Sequence, residues 1–312
     1  MIVKSGLFRV SPYGGSQVTE GICSYNCDAI NAMKWDRIAI VGVGLIGGSI
    51  GLALRQHKLA QHVVGIGRNS ARLSRAQDLG AIDSTTTQVD RGVADAELII
   101  VCTPVHQIPD FVNQVAAFAP RGALVTDAGS TKEVIVSAIK APLPNEVVFI
   151  GSHPLAGSEK QGVEHARSDL FDGAICVVTP TASTPPSAIQ RVSQFWQVLR
   201  AKVRVMGPEA HDMALAHTSH LPHLMASALA GSLSPSYHEL AASGFRDTTR
   251  IASGDVELWS GIFEQNNMAL LEALDRLIQE LETYRELLSQ SDMEGVCKML
   301  TRAKRNRDDL GS

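Results

Sequence analysis

The segment Gly42-Val-Gly44-Leu-Ile-Gly47-Gly48 decides the fold of this chain. It follows the apolar run 38–41, which is typical of a buried strand, and it opens a helical pattern over residues 49–56. Glycines in such a turn let backbone amides approach a pyrophosphate, and the free N–H groups of the helix N-terminus favour an anion. We therefore predict a dinucleotide site formed by the residues of this turn: Gly42, Gly44, Leu45, Ile46 and Gly47.

Strand and helix patterns alternate on both sides of this turn. Further strands are predicted at residues 63–66, 98–102, 124–126, 147–150, 174–179 and 202–206. Helices are predicted between them at residues 71–79, 108–118, 131–139 and 186–199. Such alternation predicts an α/β fold, a Rossmann-type doubly wound parallel sheet with helices on both faces.

From Pro208 onward the pattern is nearly all helical. Apolar residues there recur in steps of four and three, at Leu270, Leu274, Leu277, Leu281, Tyr284 and Leu288. This heptad seam either packs on its own domain or pairs with a second copy of the chain. Its length and its charged flanks favour a homodimer formed through the C-terminal helices.

These patterns divide the chain into three parts. Residues 35–207 are predicted to form the dinucleotide-binding domain, and residues 208–312 an all-α substrate and dimerisation domain. Residues 1–34 lack periodicity and are predicted to be a loosely ordered extension. A misassigned start and an organelle transit peptide are the alternatives, although Glu20 and Asp28 are unusual in a transit peptide.

Composition excludes several classes of protein. Among 312 residues, 28 Lys and Arg face 32 Asp and Glu, for a net charge of −4, which argues against a nucleic acid or anionic membrane partner. No apolar run reaches the roughly 18 residues of a membrane span, and no secretory signal is visible. Cys23 and Cys27 lack a second ligand pair, so no metal is expected. The five cysteines suit a reducing, cytoplasmic environment.

The second strand indicates which dinucleotide is bound. An NAD site usually has a carboxylate near this point, which accepts hydrogen bonds from the ribose, but no acid follows until Asp78. Arg68 and Asn69 stand there instead, and Arg68 can pair with a 2′-phosphate. The sequence therefore favours NADP over NAD, with Arg68 as an ordinary solvated residue being the alternative. Thr103 and Pro104, which end another predicted strand, should border the nicotinamide.

One histidine follows the strand predicted at 147–150, in the segment Gly151-Ser-His-Pro-Leu-Ala-Gly-Ser-Glu-Lys-Gln-Gly162. We predict that His153 lies in a loop at a strand end, where α/β proteins place their chemistry, and that it accepts a hydroxyl proton during hydride transfer. Ser130 follows the strand before it. That hydroxyl is expected to bond His153 or the substrate, to cap the helix predicted from Thr131, or both.

Five motifs in this order resemble the prephenate/arogenate dehydrogenase family of tyrosine biosynthesis. They are the glycine turn at 42–49, Thr126-Asp-x-Gly-Ser-x-Lys132, Gly151-x-His-Pro-Leu-Ala-Gly-Ser-Glu159, Ser219-His-Leu-Pro-His223 and Ser243-Gly-Phe-Arg-Asp-Thr-Thr-Arg250. The resemblance implies oxidative decarboxylation of prephenate, or of arogenate, with hydride transfer to NAD(P)+. It also implies a homodimer with the active site between the two domains.

The resemblance assigns roles to individual residues. His153 would bond the ring 4-hydroxyl with help from Ser130, and Arg250 would hold a substrate carboxylate. The pocket would further be lined by His223, Ser158, Glu159 and Trp259. The base needs a pKa near neutrality, which an imidazole offers.

The residues alone leave other interpretations open. Taken by pattern, His217, His220 and His223 are packing or capping residues rather than metal ligands, because Pro222 interrupts the helix and no Glu or Cys stands at ligand spacing. Arg246 and Arg250 would be solvated or paired with Asp247 and Asp255, and Trp259 would be core.

Two rival functions are a β-hydroxyacid-type dehydrogenase and a dinucleotide-binding protein without activity. The first relies on a helical-domain lysine, and residues 209–289 contain none. The second gives no reason for a histidine and an arginine to face one cleft.

Overall fold

The computed structural model describes residues 34–157 and 160–311. Within them, eight strands form one sheet in the order β3-β2-β1-β4-β5-β6-β7-β8. Neighbouring strands are parallel except β6 and β7. The strands are β1 Trp35–Val41, β2 Ala60–Ile66, β3 Ser84–Thr86, β4 Leu98–Val101, β5 Leu124–Asp127, β6 Val148–Pro154, β7 Ile175–Thr179 and β8 Lys202–Val205.

Helices cover the sheet and then form the rest of the described chain. Those between strands are α1 Leu45–Gln56, α2 Ser70–Asp78, α3 Val89–Val93, α4 Ile108–Phe118, α5 Glu133–Ala138 and α6 Pro186–Val198. Those that follow are α7 Pro208–Leu215, α8 Leu221–Ser232, α9 Ser243–Thr249, α10 Val256–Gln265, α11 Asn267–Ser289 and α12 Met293–Asp309. The predicted Rossmann-type sheet followed by an all-helical part is confirmed. No helix among the described residues is both long and apolar enough to cross a membrane.

Double burial explains why the central strands are apolar at every position. In β1, Ile38 and Ile40 belong to the core on one face of the sheet, whereas Ala39 and Val41 belong to the core on the other. Strand β4 divides in the same way between Leu98, Ile100 and their odd-numbered neighbours. A parallel sheet with helices on both faces needs such strands.

Two glycines allow α1 to begin directly against β1. Gly42 has a φ of +91°, and a Cβ there would lie 2.6 Å from the carbonyl oxygen of Cys102, the residue that follows β4. A Cβ on Gly47 would lie 2.1 Å from the Gly42 carbonyl oxygen. Only glycine fits these positions, so the turn's sequence sets the close approach of helix and strand.

The prediction that His153 lies in a loop is wrong. Strand β6 continues to Pro154 because β7 pairs with it antiparallel, with His153 opposite Val177. Gly151 permits this pairing, since a Cβ there would lie 2.5 Å from the Thr179 hydroxyl. His153 is therefore held by a sheet on the edge where the parallel strands end.

The helical chain does not break at Pro222. A π-helical turn, Ala216–His220, joins α7 to α8, and Pro222 occupies the first turn of α8. Proline is tolerated there because it lacks an N–H, and single π turns are frequent at functional sites. This turn carries His217 and His220, one turn before His223.

Some predictions concern residues outside the described ranges. They are the extension of residues 1–34 apart from Lys34, the cysteines Cys23 and Cys27, and the pocket residues Ser158 and Glu159. The division at residue 207 stays a prediction, because Met33–Ser312 forms one compact unit.

Candidate active site

The carboxyl ends of five adjacent strands lie along one edge of the sheet. Strands β2, β1, β4, β5 and β6 are neighbours in that order and run parallel. The predicted cofactor residues follow these strands, and His153, the predicted catalytic residue, lies near the end of β6. The order changes direction between β1 and β4, and ligands of open α/β sheets bind at such a switch point.

The glycine turn fits a dinucleotide phosphate. Gly44 is the N-cap of α1, and a Cβ built on it would meet no atom within 4 Å, so open space faces the helix start. The first turn of α1 has neither a side-chain cap nor an acidic residue. Gly42, Leu45 and Ile46 are partly exposed beside it. Uncapped N–H groups facing open space suit an anion.

The residues after β2 and β4 have separate roles. Arg68 is exposed beyond the end of β2. The Asn69 side chain accepts a hydrogen bond of 3.0 Å from the Arg72 amide and caps α2, so its carboxamide oxygen serves the fold. Beyond β4, the Thr103 hydroxyl is buried without a partner among the described residues, and Pro104 is exposed next to it. An orphan hydroxyl at this edge suits a polar ligand group.

His153 is bound to a histidine that sequence reasoning did not single out. Its Nδ1 lies 2.9 Å from Nε2 of His211, and Nδ1 of His211 lies 2.7 Å from Oδ1 of Asp212. Both His211 and Asp212 are buried on α7. Burial, followed by the nearby His211, Lys132 and His220, lowers the pKa of His153 well below its ordinary value. The expectation of a pKa near neutrality for this base is therefore wrong, because burial keeps His153 a neutral imidazole at neutral pH and below it.

The capping role predicted for Ser130 is wrong. Helix α5 begins at Glu133 rather than at Thr131, and Asp212 caps it by accepting hydrogen bonds from the Lys132 and Glu133 amides, of 2.8 and 2.9 Å. Ser130 lies half-buried between β5 and this helix. Among the described residues, the side-chain hydrogen bond of His153 goes to His211 and not to Ser130.

A buried ion pair fixes the loop that carries Ser130. Lys132 and Asp127 contact each other with both side chains fully buried. The Asp127 carboxylate also accepts hydrogen bonds from the amides of Gly129, at 2.8 Å, and Ser152, at 3.0 Å. This pairing ties the end of β5 to β6 beside His153, and every oxygen of the carboxylate is satisfied.

A second polar cluster joins the helices to this edge. The Asn266 side-chain amide donates to the Asp212 carbonyl at 2.8 Å and to Nδ1 of His220 at 2.9 Å. Burial lowers the pKa of His220 to about 4, against the opposing pull of Asp212. The His220 ring also contacts the Trp259 ring edge-on, at a centroid distance of 6.3 Å.

His223 and Trp259 form a stacked pair. Their ring centroids lie 3.6 Å apart with planes 12° from parallel, and Nδ1 of His223 is buried with no partner in the described part of the chain. Burial lowers the pKa of His223. Trp259 is half-buried rather than core. Through His220, the structure thus brings His223 and Trp259 close to the polar residues around His153. Nδ1 of His223 has no hydrogen-bond partner there among the described residues.

Arg250 begins the 3-10 turn Arg250–Ser253, which packs against α8, the helix of His223. Gly254 follows, and a Cβ on it would lie 2.9 Å from the His223 ring. Of the two alternatives for Arg246 and Arg250, solvated or paired with Asp247 and Asp255, the structure agrees with the first, because both side chains are exposed. Arg246 donates to the Ala241 carbonyl at 2.9 Å, and Asp255 caps α10. Arg250 itself is exposed and has no ion pair with any described residue.

The helices attach to the edge of the sheet at two further points. The Thr131 hydroxyl donates to the Gln265 side chain, and α10 packs against the turn Val105–Gln107 after β4. Within residues 34–157 and 160–311, no group of three His, Cys, Asp or Glu side chains is arranged to hold a metal ion.

Several residues of this site had no predicted role in it, although the first, second and fifth of them stand in motifs quoted above: Asp127, Lys132, His211, Asp212, His220 and Asn266. His211 and Asp212 had one local signal, since an adjacent His-Asp pair follows Pro208 at a helix start. Nothing local showed their target, because His211 and His153 are 58 positions apart in sequence.

Two family matches cover most of the chain. The family described as prephenate dehydrogenase, nucleotide-binding domain, matches residues 50–205, and prephenate dehydrogenase, dimerization domain, matches residues 207–302. The chain is 35% identical over 288 residues to a prephenate dehydrogenase of Bacillus subtilis, covering 90% of this chain and 77% of that protein. It is 32% identical to a cyclohexadienyl dehydrogenase of Zymomonas mobilis, covering 82% and 89% of the two chains.

Solved structures agree with these matches. A prephenate dehydrogenase from Aquifex aeolicus, in complex with hydroxyphenyl propionate and NAD+, superimposes with a TM-score of 0.82 at 30% identity and covers 88% of this chain and 98% of its own. An arogenate dehydrogenase from Synechocystis superimposes with a TM-score of 0.75 at 29% identity, covering 88% and 99%. Together with the glycine turn and the buried histidine on one sheet edge, these matches show that the chain belongs to the prephenate dehydrogenase family of nicotinamide-dependent dehydrogenases.

Proposed function

We propose that this chain oxidises and decarboxylates prephenate to 4-hydroxyphenylpyruvate in tyrosine biosynthesis, with arogenate as the alternative substrate. The observation that carries this proposal is His153. It is neutral, it is buried at the carboxyl edge of the sheet, and its Nδ1 is occupied by His211, so one ring nitrogen is left for a substrate. The relatives named prephenate and arogenate dehydrogenases support the same class of substrate.

The residues can share the work of this reaction. A bound oxidised nicotinamide would accept the hydride from C4 of the ring. His153 accepts the proton of the 4-hydroxyl, so that this carbon becomes a carbonyl. The ring carboxylate then leaves as carbon dioxide, its electron pair completes the aromatic ring, and the C4 oxygen takes back the proton from His153 to become the phenol hydroxyl. Aromatisation drives this last step, so a base and a positioning charge suffice.

Two further residues complete the proposed substrate site. Arg250 holds a carboxylate of the substrate, because its exposed guanidinium has no acidic partner among the described residues and starts the turn that packs on the His223 helix. Ser130, between β5 and α5, assists at the 4-hydroxyl from the side of His153. His223, whose Nδ1 is buried without a partner among the described residues and whose ring stacks on Trp259, is assigned to the same substrate site.

The proposed cofactor preference is NADP. Arg68 is exposed beyond β2, and residues 67–77 contain no carboxylate to accept hydrogen bonds from a 2′-hydroxyl. The phosphate site needs the uncapped start of α1, whichever cofactor binds.

The proposed assembly is a homodimer formed through the helical part. The predicted heptad seam is divided: Leu270 is 6% exposed, whereas Leu281 and Leu288 are 49% and 57% exposed. Its first residues therefore pack on their own chain, and its last residues offer an apolar surface. In sedimentation experiments a double change of Leu281 and Leu288 to Glu should convert a dimer into a monomer. A monomeric parent protein would contradict the proposal.

We further propose a cytoplasmic location, in keeping with the free thiols of Cys102, Cys176 and Cys297. Recovery of the protein from the cytosolic fraction of its own cells would support this, and recovery with membranes would contradict it.

The decisive experiment crosses prephenate and arogenate with NADP+ and NAD+, with reduced cofactor followed by absorbance. We expect turnover with at least one ring substrate and a higher kcat/KM with NADP+. Absence of reduced cofactor in all four combinations would overturn the enzymatic proposal. A strong preference for NAD+ would overturn the role of Arg68 alone.

A further inference from the structure

A continuous hydrogen-bonded chain runs from a carboxylate to His153. Oδ1 of Asp212 lies 2.7 Å from Nδ1 of His211, whose Nε2 lies 2.9 Å from Nδ1 of His153. His211 is fully buried and Asp212 is 1% exposed. Because water does not reach these groups, the hydrogen bonds within the chain decide where each proton lies.

The direction of each hydrogen bond follows from the Asp212 end. Its carboxylate accepts the backbone N–H groups of Lys132 and Glu133, so it is an anionic acceptor. Nδ1 of His211 must therefore donate to it. A neutral His211 then presents Nε2 as an acceptor, and Nδ1 of His153 must donate to that nitrogen. The remaining nitrogen of His153, Nε2, carries a lone pair and no proton.

We propose that His211 and Asp212 are positioning residues that hold His153 in the tautomer whose Nε2 is unprotonated. This inference deepens the proposed function, on which it rests, by stating how the base is prepared before the substrate arrives. In the opposite tautomer, Nε2 would carry hydrogen and would oppose the hydroxyl proton. If the imidazole rotated, or if both tautomers were populated, His153 could accept the hydroxyl proton for only part of the time.

The same chain also stabilises the product of proton transfer. When the substrate hydroxyl gives its proton to Nε2, the positive charge appears on His153, which still donates from Nδ1 to His211. The Asp212 carboxylate at the other end offsets this charge through the His211 ring. Lys132 is a buried cation near this chain, but it is paired with Asp127. The Asp212 carboxylate is therefore available to offset the charge on His153.

Two substitutions of His211 separate positioning from packing. His211→Leu keeps an apolar side chain of moderate size but removes the acceptor for Nδ1 of His153. His211→Gln offers an amide oxygen to the same nitrogen. We expect His211→Leu to lower kcat by about 10²-fold with little change in the Kd of the cofactor, and His211→Gln to recover activity to within about tenfold of the parent.

The matched control is His62→Leu. His62 is a partly buried histidine whose side chain, like that of His211, is hydrogen-bonded, at 2.7 Å to Ser84, but it lies in β2 outside the site. This variant should keep the parental kcat. Equal losses in the His62 and His211 variants would mean that the loss comes from stability alone.

The direct readout is 15N NMR of protein labelled at histidine, with the His153 signals assigned by their loss in His153→Asn. In the parent protein we expect a protonated Nδ1 and a bare Nε2. In His211→Leu we expect a mixture of tautomers. Asp212→Asn, if it folds, should reverse the chain and protonate Nε2. A parent protein with a protonated Nε2, or a His211→Leu variant with an unchanged tautomer and kcat, would overturn the proposal.

This readout does not depend on the substrate. If neither ring compound is oxidised but the tautomer is as expected, the proposed function fails and the positioning pair stands. If prephenate is oxidised and the tautomer is reversed, the positioning pair fails alone.

Discussion

The two sides of the active site use different parts of the polypeptide. On the proposed cofactor side, a run of neighbouring residues at the start of α1 presents uncapped backbone N–H groups to open space. On the proposed proton-transfer side, the groups are side chains from β6, from α7 and from Asn266 between α10 and α11, joined by buried hydrogen bonds. The first side depends on the absence of side chains, whereas the second depends on their chemistry and protonation. Substitutions on the two sides should therefore impair different properties of the enzyme.

The largest effect is expected on the proton-transfer side, for His153→Asn. The asparagine amide can still donate toward His211, but no base remains for the hydroxyl. We expect kcat to fall by about 10³-fold or more, while the Kd of the nicotinamide cofactor stays within about twofold. Stopped-flow turnover and fluorescence titration measure the two quantities. Turnover at the parental rate would remove His153 from the mechanism, and a lost cofactor affinity would mean that the two sides are not separate.

The next effect is a dependence of stability on pH that originates on the same side. The pKa of His220 is about 4 in the folded chain and near 6.5 when unfolded, so the unfolded state binds more protons between these values. Stability should therefore be complete above pH 6.5 and fall by about 3 kcal/mol from this group as the pH drops toward 4. His153, whose pKa is also lowered, adds a loss of the same sign.

Denaturant unfolding at a series of pH values tests this dependence. Protonation of His220 would also set a new N–H against the Asn266 amide, which already donates to Nδ1. His220→Gln should flatten the slope between pH 6.5 and 4, whereas the control His217→Gln, at the partly exposed neighbour in the same π turn, should keep it. A slope that is identical in both variants would assign the pH dependence to other groups.

The third effect concerns how the substrate is held. Arg250→Gln removes the charge but keeps hydrogen-bonding capacity, and we expect KM for the ring substrate to rise about 10- to 100-fold with a smaller change in kcat. Initial-rate kinetics measure this split. Arg246→Gln is the matched control, because Arg246 lies four residues away and already donates to the Ala241 carbonyl. An unchanged KM in Arg250→Gln would assign the carboxylate to another residue.

The same contrast explains what the sequence predicts and what it does not. The glycine turn and the doubly buried strands are local patterns, and both appear where predicted. The extension of β6 to His153 depends on β7, which pairs from about 25 residues away and overrides Gly151 and Pro154 as strand breakers. The cap of α5 is Asp212 from α7 rather than the nearby Ser130. Residues that act through tertiary contacts have no characteristic spacing in the sequence, so their partners cannot be predicted from it.

The cofactor side itself offers the finest test, because two of its glycines face opposite surroundings. Gly44 has a negative φ, −96°, and a Cβ on it would meet no protein atom within 4 Å. Gly44→Ala should therefore fold with a Tm near that of the parent and lose affinity for the dinucleotide by about tenfold, since the methyl group enters the space of the phosphate.

Gly47→Ala differs by the same methyl group but places it 2.1 Å from a backbone carbonyl oxygen, that of Gly42. Because α1 or the turn must move, this variant should lose Tm, with a free-energy cost of roughly 1–3 kcal/mol. Calorimetry gives the Tm of each variant, and cofactor titration gives the Kd of each. If Gly44→Ala loses Tm as Gly47→Ala does, the turn has a structural role at both glycines. If Gly44→Ala binds the cofactor normally, the phosphate lies elsewhere along the edge, and the open space at the start of α1 serves another purpose.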